Sequence, residues 1–192
     1  MENFIKVFDD IVPKNISNSI EQWLIYSQEC KWNYSSSISN KSNDSTDGYY
    51  YCFFSIADSK KRSGDQREDM VFFLTQPLYS LTYHLGLQVF KCYESRAFLQ
   101  KPQGKNIESL DGIHVDLVDR NKKLIPHWVC LYYVNDSDGD TIFFDENNKE
   151  IQRVSPKKGR IAFFDGAIPH CTTTPKDDIR TVLNFDFQGG YI

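Results

Sequence analysis

The stretch Arg160-Ile161-Ala162-Phe163-Phe164-Asp165-Gly166-Ala167-Ile168-Pro169-His170 opens as a short apolar strand. It closes on a turn at Asp165-Gly166 with Pro169, and it delivers a histidine at its far end. Runs of the same texture surround it from Leu87 onward: Leu87–Tyr93, Ala97–Gln100, Gly112–Asp116, Trp128–Asn135, Thr141–Asp145 and Arg180–Gln188. Each is short and rich in β-branched and aromatic residues, and Gly, Pro, Asn and Asp separate them. Many short strands at such spacing predict a β-sandwich or barrel.

The first half reads differently. Phe4–Phe8 is a strand candidate, and Pro13–Glu29 carries Ile16, Ile20, Trp23 and Leu24 at helical spacing. Tyr49–Ile56 reads as a strand. Met70–Leu85 reads as a second helix, with Pro77 as its kink or break. Ser35–Gly48 and Asp58–Asp69 are polar and read as loops. The expected fold class is mainly β with flanking α-helices, in one domain over residues 1–192. A helical buttress spans about 1–86 and a β core about 87–192.

Composition narrows the function. Apolar residues at 40% and charged residues at 25% exclude wholesale disorder. The 22 basic and 26 acidic residues give a net charge of −4, and no long basic run is present, which argues against nucleic-acid binding by counterion release. The N-terminus lacks the basic-then-apolar layout of a signal peptide and no apolar run is long enough to span a bilayer, so a cytoplasmic location without membrane insertion is expected. Cys30, Cys52, Cys92, Cys130 and Cys171 include no C-x-x-C pair, so neither a zinc site nor a disulfide framework is expected. Cys92 and Cys130 read as buried thiols.

Of the four histidines, His114 stands in His114-Val115-Asp116. In an extended segment, residues two apart face the same way, so an imidazole and a carboxylate converge. Alone, this pattern is weak. His170 follows from a different strand, and two histidines with one carboxylate form the facial set that leaves three positions open on a non-haem Fe(II) ion. Arg180 lies ten residues past His170 and shares a strand face with Val182 and Asn184. An arginine inside a barrel is costly without an anion, and a ligand carboxylate would supply one. His84 and His127 read as structural or exposed rather than as ligands, and Trp23, Trp32 and Trp128 as core.

The H-x-D, the distant His and the Arg ten residues on resemble the 2-oxoglutarate/Fe(II)-dependent dioxygenase superfamily. The flanking text resembles its prolyl-4-hydroxylase-like branch. Leu131-Tyr132-Tyr133-Val134-Asn135 resembles the branch's "YYLN" strand, and Gly139-Asp140-Thr141-Ile142-Phe143-Phe144 its "GGxTxF" strand. Pro156 to Phe164 resembles its approach to the distal histidine, and Asp9-Asp10-Ile11-Val12-Pro13 its opening before a helix. Two departures stand out: Asp140 replaces the second glycine, and Gln100–Gly112 is a polar insertion.

The resemblance implies a double-stranded β-helix, a distorted jelly roll. It implies Fe(II) on His114, Asp116 and His170, and 2-oxoglutarate held by Arg180 with Tyr133, and with Tyr93 by analogy with a tyrosine on an earlier strand. Thr141 would pack beside the pocket. The implied reaction hydroxylates a C–H bond with O2 as cosubstrate and succinate and CO2 as co-products, on a protein or peptide in the manner of a prolyl hydroxylase. The alternatives are a hydroxylase of a free amino acid or other small molecule, a nucleic-acid oxidative demethylase, and a non-enzymatic β-sandwich binding module. The demethylases normally carry a second arginine six residues after the first, where this chain has Asp186. The oligomeric state is not read from the sequence, and the two polar loops, Ser35–Gly48 and Gln100–Gly112, are the lid candidates.

Overall fold

A computed structural model describes residues 4–35, 48–55, 68–106, 108 and 112–191. Of the two lid candidates, Ser35–Gly48 lies outside the described residues except at its two ends, whereas Gln100–Gly112 is described except at 107 and 109–111. Ten strands are described: β1 (Ile5–Phe8), β2 (Asn33–Ser35), β3 (Gly48–Ser55), β4 (Leu87–Gln100), β5 (Trp128–Tyr133), β6 (Thr141–Phe144), β7 (Glu150–Val154), β8 (Ile161–Asp165), β9 (His170–Thr172) and β10 (Arg180–Tyr191). The helices are α1 (Lys14–Glu21), which runs into a π-helical turn at Gln22–Tyr26, α2 (Glu68–Leu74) and α3 (Gln76–Leu85).

Seven strands form one antiparallel sheet in the order β1-β8-β5-β10-β4-β3-β2, and three form a second in the order β7-β6-β9. The segment before the H-x-D joins the smaller sheet through bridges Glu108↔Thr173 and His114↔His170. Two antiparallel sheets closed face to face make a double-stranded β-helix.

Alternation along β5 shows how the sequence builds three layers. Val129, Leu131 and Tyr133 point between the sheets, into an apolar layer with Phe143, Val154, Phe164, Ile168 and Val182. Cys130, Tyr132 and Val134 point the other way, onto Ile20, Leu24, Leu74, Leu78 and Leu81 of the helices. A strand covered on both faces must be apolar throughout, and β5 is. The helices thus cover the outer face of the large sheet. No helix among the described residues is long and apolar enough to cross a membrane.

The differences from the sequence expectation have local causes. The first helix ends at Tyr26, three residues early, because the chain turns at Ser27, whose hydroxyl accepts from the Glu29 amide. The second helix breaks at Thr75, which returns its hydroxyl to the Val71 and Phe72 carbonyls, and Pro77 sits in the first turn of α3, where its missing N–H costs nothing. The two runs of β4 form one strand of 14 residues. The segment expected as a strand over Gly112–Asp116 pairs only at His114. β2, β7 and β9 have no counterpart in the expectation. Each is short, and β7 (Glu150-Ile151-Gln152-Arg153-Val154) has only two apolar residues to announce it. Cys130 is buried, and Cys92 is half-buried with its thiol 3.2 Å from the Ser95 hydroxyl.

Candidate functional site

Two polar clusters flank the apolar layer between the sheets. At one, His114 and His170 lie directly opposite each other and exchange both backbone hydrogen bonds, at 3.0 and 2.9 Å. Direct opposition puts both side chains on one face, and their rings sit 4.8 Å apart. Asp116, two residues along, brings Oδ1 to 3.8 Å from His114 Nε2 and Oδ2 to 3.6 Å from His170 Nε2. Each imidazole has its Nδ1 against the carbonyl two residues earlier, Gly112 at 2.7 Å and Ile168 at 3.1 Å. Nδ1 therefore carries the proton, and Nε2 presents a lone pair.

Burial drives His170 down to about 4, so its ring is neutral at neutral pH and free to ligate. Burial pushes the Asp116 carboxyl up, but the facing imidazoles and Arg96 pull it further down, and it stays ionised. Asp116 Oδ2 has no hydrogen-bond partner. Two imidazole nitrogens and an under-satisfied carboxylate within 4.8 Å of one another fit one divalent cation.

Arg180 defines the other end. It is 2% exposed, and no carboxylate among the described residues lies within ion-pair distance. Its Nε donates to Gly139 O at 2.9 Å, Nη1 to Gln100 Oε1 at 3.2 Å and Nη2 to Thr141 Oγ1 at 2.9 Å. Three of five N–H donors are used, and two are left. Gly139 packs closely here: a Cβ would lie 3.0 Å from Arg180 Cδ and 3.1 Å from Thr173 O, so its neighbours would have to give by a few tenths of an ångström. Burial lowers the Arg180 pKa, opposed by Tyr133, whose ring centroid lies 5.8 Å from the guanidinium. Tyr133 donates its hydroxyl to Thr141 at 2.8 Å. The Thr141 oxygen thus accepts twice, which leaves its own proton to donate.

The two ends are joined. Gln100, whose Oε1 accepts from Arg180, donates through Nε2 to Thr172 Oγ1 at 3.3 Å. Thr172 is two residues from His170 on β9, about 6.6 Å of strand.

The structure gathers His114, Asp116 and His170 at one end and Arg180 and Tyr133 at the other. Tyr93 belongs to neither. In the β4–β10 pairing, Asp186 faces Glu94 and Phe187 faces Cys92, so Tyr93 is the extra residue of a bulge. A bulge re-aims its side chain. The Tyr93 hydroxyl points at Gln188 Oε1, 3.5 Å away, eight residues along β10 from Arg180.

Sequence reasoning missed Gln100, and it read Thr141 only as a packing residue. It also read His127 as structural or exposed. His127 is 5% exposed, with Nδ1 on the Ile125 carbonyl at 2.6 Å and Nε2 turned toward Asp116 and Asp186. Asp186 is fully buried; burial and the Asp116 charge push its pKa well above the usual carboxylate range. Strand alternation from Arg180 would have found Asp186, since both lie on the inward face of β10 with Val182 and Asn184.

No family sequence profile and no curated protein matches the chain. Solved structures do. A 2OG-Fe(II) oxygenase family oxidoreductase from Burkholderia pseudomallei superposes with a TM-score of 0.69 at 11% identity, over 97% of this chain and 87% of that one. A prolyl hydroxylase from Trichoplax adhaerens, in complex with a hypoxia inducible factor peptide fragment, gives 0.65 at 14% identity over 97% and 84%. A prolyl-4-hydroxylase from Pseudomonas putida gives 0.58 at 14% identity over 97% and 93%. The chain has the fold of the 2-oxoglutarate/Fe(II) oxygenases, and its likeness extends to structures of the prolyl-hydroxylase branch.

Proposed function

We propose that this protein is a 2-oxoglutarate- and Fe(II)-dependent dioxygenase that hydroxylates a C–H bond of a peptide or protein substrate. The observation that carries the reading is the pairing of opposite deficits within one pocket. The Asp116 end holds imidazole lone pairs and a buried carboxylate oxygen that no hydrogen bond satisfies. The Arg180 end holds a buried positive charge and lacks an anion. A dicarboxylate whose other end chelates a metal satisfies both, and the Gln100–Thr172 hydrogen bond ties the two ends together.

In this reading His114, Asp116 and His170 hold Fe(II), which with 2-oxoglutarate supplies oxidation by O2, yielding succinate and CO2. Arg180 orients the cosubstrate through its two remaining N–H groups, a bidentate geometry that lysine would not reproduce. Thr141 adds a donor, and Gln100 and Gly139 hold the guanidinium in place. Tyr133 shields the charge from water and fixes Thr141. The apolar layer behind them keeps the carboxylate contact dry, which strengthens it. The peptide substrate is supported by the peptide complex of the similar Trichoplax structure and by the branch resemblance.

The test is the anaerobic visible spectrum of the protein with Fe(II) and 2-oxoglutarate. A metal-to-ligand charge-transfer band that needs both, and disappears in Arg180→Ala, is expected. Succinate release against proline-containing peptides and free amino acids then separates peptide from small-molecule substrates. No band from folded, metal-loaded protein overturns the reading.

A further inference from the structure

Two segments put basic side chains around the metal end. The first is the inward row of β4, where Gln100, Phe98, Arg96 and Glu94 stand opposite Arg180, Val182, Asn184 and Asp186. The Arg96 guanidinium lies 5.0 Å over the Phe98 ring, with Nε 3.3 Å from Glu94 Oε2. Its Nη2 is 3.7 Å from Asp186 Oδ2, beyond hydrogen-bond range, and Asp186 in turn neighbours the metal ligand Asp116. The Arg96 side chain keeps 23% exposure. The ring and the neighbouring carboxylate fix the guanidinium plane, and its five donors can serve a second carboxylate.

The second segment is a hairpin over 117–125, closed by the Val118↔Leu124 bridge and by the Ile125 amide on the Leu117 carbonyl at 3.1 Å. Residues 118–123 are exposed. Asp119 Oδ1 accepts from the Asn121 and Lys123 amides, both at 2.8 Å, so this carboxylate is turned back into its own loop. Arg120, Lys122 and Lys123 are the exposed charges that remain. The hairpin leaves from Asp116 and returns to His127 and Trp128. Trp128 pairs with Phe187, and Phe187 pairs with Cys92. Register thus places the hairpin and residues 91–96 of β4 at the same end of the large sheet. Arg120 is four residues from Asp116, at most about 14 Å of chain.

Residues 88–96 and 117–125 hold five basic side chains (Lys91, Arg96, Arg120, Lys122, Lys123) against two acidic ones (Glu94, Asp119), in a chain with 22 basic and 26 acidic residues. The basic excess is therefore local. A long polyanion such as a nucleic acid would also meet the acidic remainder of the surface, whereas a short acidic segment meets the rim alone. We propose that this rim selects an acidic peptide as the substrate of the dioxygenase, an inference that rests on the function proposed above. Arg96 takes a carboxylate beside the residue held at the metal, and Arg120, Lys122 and Lys123 face acidic residues that flank it.

The test is anaerobic peptide binding to the full chain loaded with Fe(II) and 2-oxoglutarate. Fluorescent peptides of one length carry a central proline flanked by aspartate, by asparagine or by lysine, and a labelled single-stranded oligonucleotide serves as a second polyanion. Fluorescence anisotropy is expected to show the aspartate peptide binding at least about tenfold tighter than the asparagine one, an advantage that shrinks as salt is raised. Arg96→Gln and the triple variant Arg120→Gln, Lys122→Gln, Lys123→Gln each reduce that ratio, and the triple variant keeps the charge-transfer band, which reports that it is folded and loaded. Equal binding of the aspartate and asparagine peptides, no binding of any peptide, a ratio that neither variant lowers, or tighter binding of the oligonucleotide overturns the proposal. Failure of the proposed function leaves a different record: no charge-transfer band in the wild type, whatever the peptide binding.

Discussion

The two polar clusters that flank the inter-sheet layer are built from opposite materials. The Arg180 end is one positive charge wrapped in neutral groups: a backbone carbonyl, an amide and a hydroxyl. The Asp116 end is a set of carboxylates and imidazole lone pairs, with Arg96 at its edge. Burial works against the charged form at both, lowering Arg180 and raising Asp186. The proposed function uses this contrast: a ligand with an anion at its tail and a metal at its head would meet both ends.

The sharpest way to break this contrast is to empty one end at a time. Asp116→Ala removes the carboxylate that faces all three imidazoles. Fe(II) affinity and 2-oxoglutarate turnover are expected to fall by more than about a hundredfold, measured by metal analysis and succinate release; turnover near wild-type levels would refute the assignment. Arg180→Gln leaves the metal end intact. Its 2-oxoglutarate affinity should fall roughly 10²- to 10³-fold through loss of a buried charge pair, with Fe(II) binding unchanged in the same titration.

Smaller changes separate the ends by stability instead. Gly166→Ala drives a methyl group into the His127 ring, and about 1–3 kcal/mol of destabilisation is expected from the overpacking. Thermal denaturation would show it as a lowered midpoint. Thr141→Val removes an acceptor of two buried hydrogen bonds and a donor for the ligand, so the KM for 2-oxoglutarate should rise about tenfold, the equivalent of one such bond. An unchanged KM would reduce Thr141 to packing.

The smallest effect lies outside the pocket. Asp9 pairs with Arg160 at 2.8 Å and Lys157 at 3.2 Å, tying the segment after β1 to the turn before β8. Arg160 holds its carboxyl down at about 2, from 3.8. Because the folded value is depressed, the contribution is present above about pH 4 and fades as pH falls toward 2. The pair is partly exposed, so Asp9→Asn should cost under about 1 kcal/mol at neutral pH and nothing near pH 2. Urea denaturation at both values checks it.

Much of the fold was legible because strand alternation is a local property. Val129, Leu131 and Tyr133 on one face and Cys130, Tyr132 and Val134 on the other are set by neighbours two residues away. The short strands β2, β7 and β9 were not, since their pairing rests on partners that the local pattern does not name. The candidate site divides the same way. His114 and Asp116 converge by spacing alone. His170 and Arg180 reach opposite ends of one pocket only through the register of β9 and β10. Tyr93 shows the limit of analogy: a one-residue bulge turns its hydroxyl toward Gln188.

By itself, the sequence determined the strand texture of the C-terminal half, the helical cover before it and the residue types able to bind a metal and an anion. These follow from side-chain chemistry and period-two alternation. Only the tertiary structure decided that Gln100 and Thr141 brace Arg180, and that His127 and Asp186 join Asp116. Those contacts span 39 residues or more of chain in the case of Arg180, and sheet register, which no local pattern encodes, brings them together.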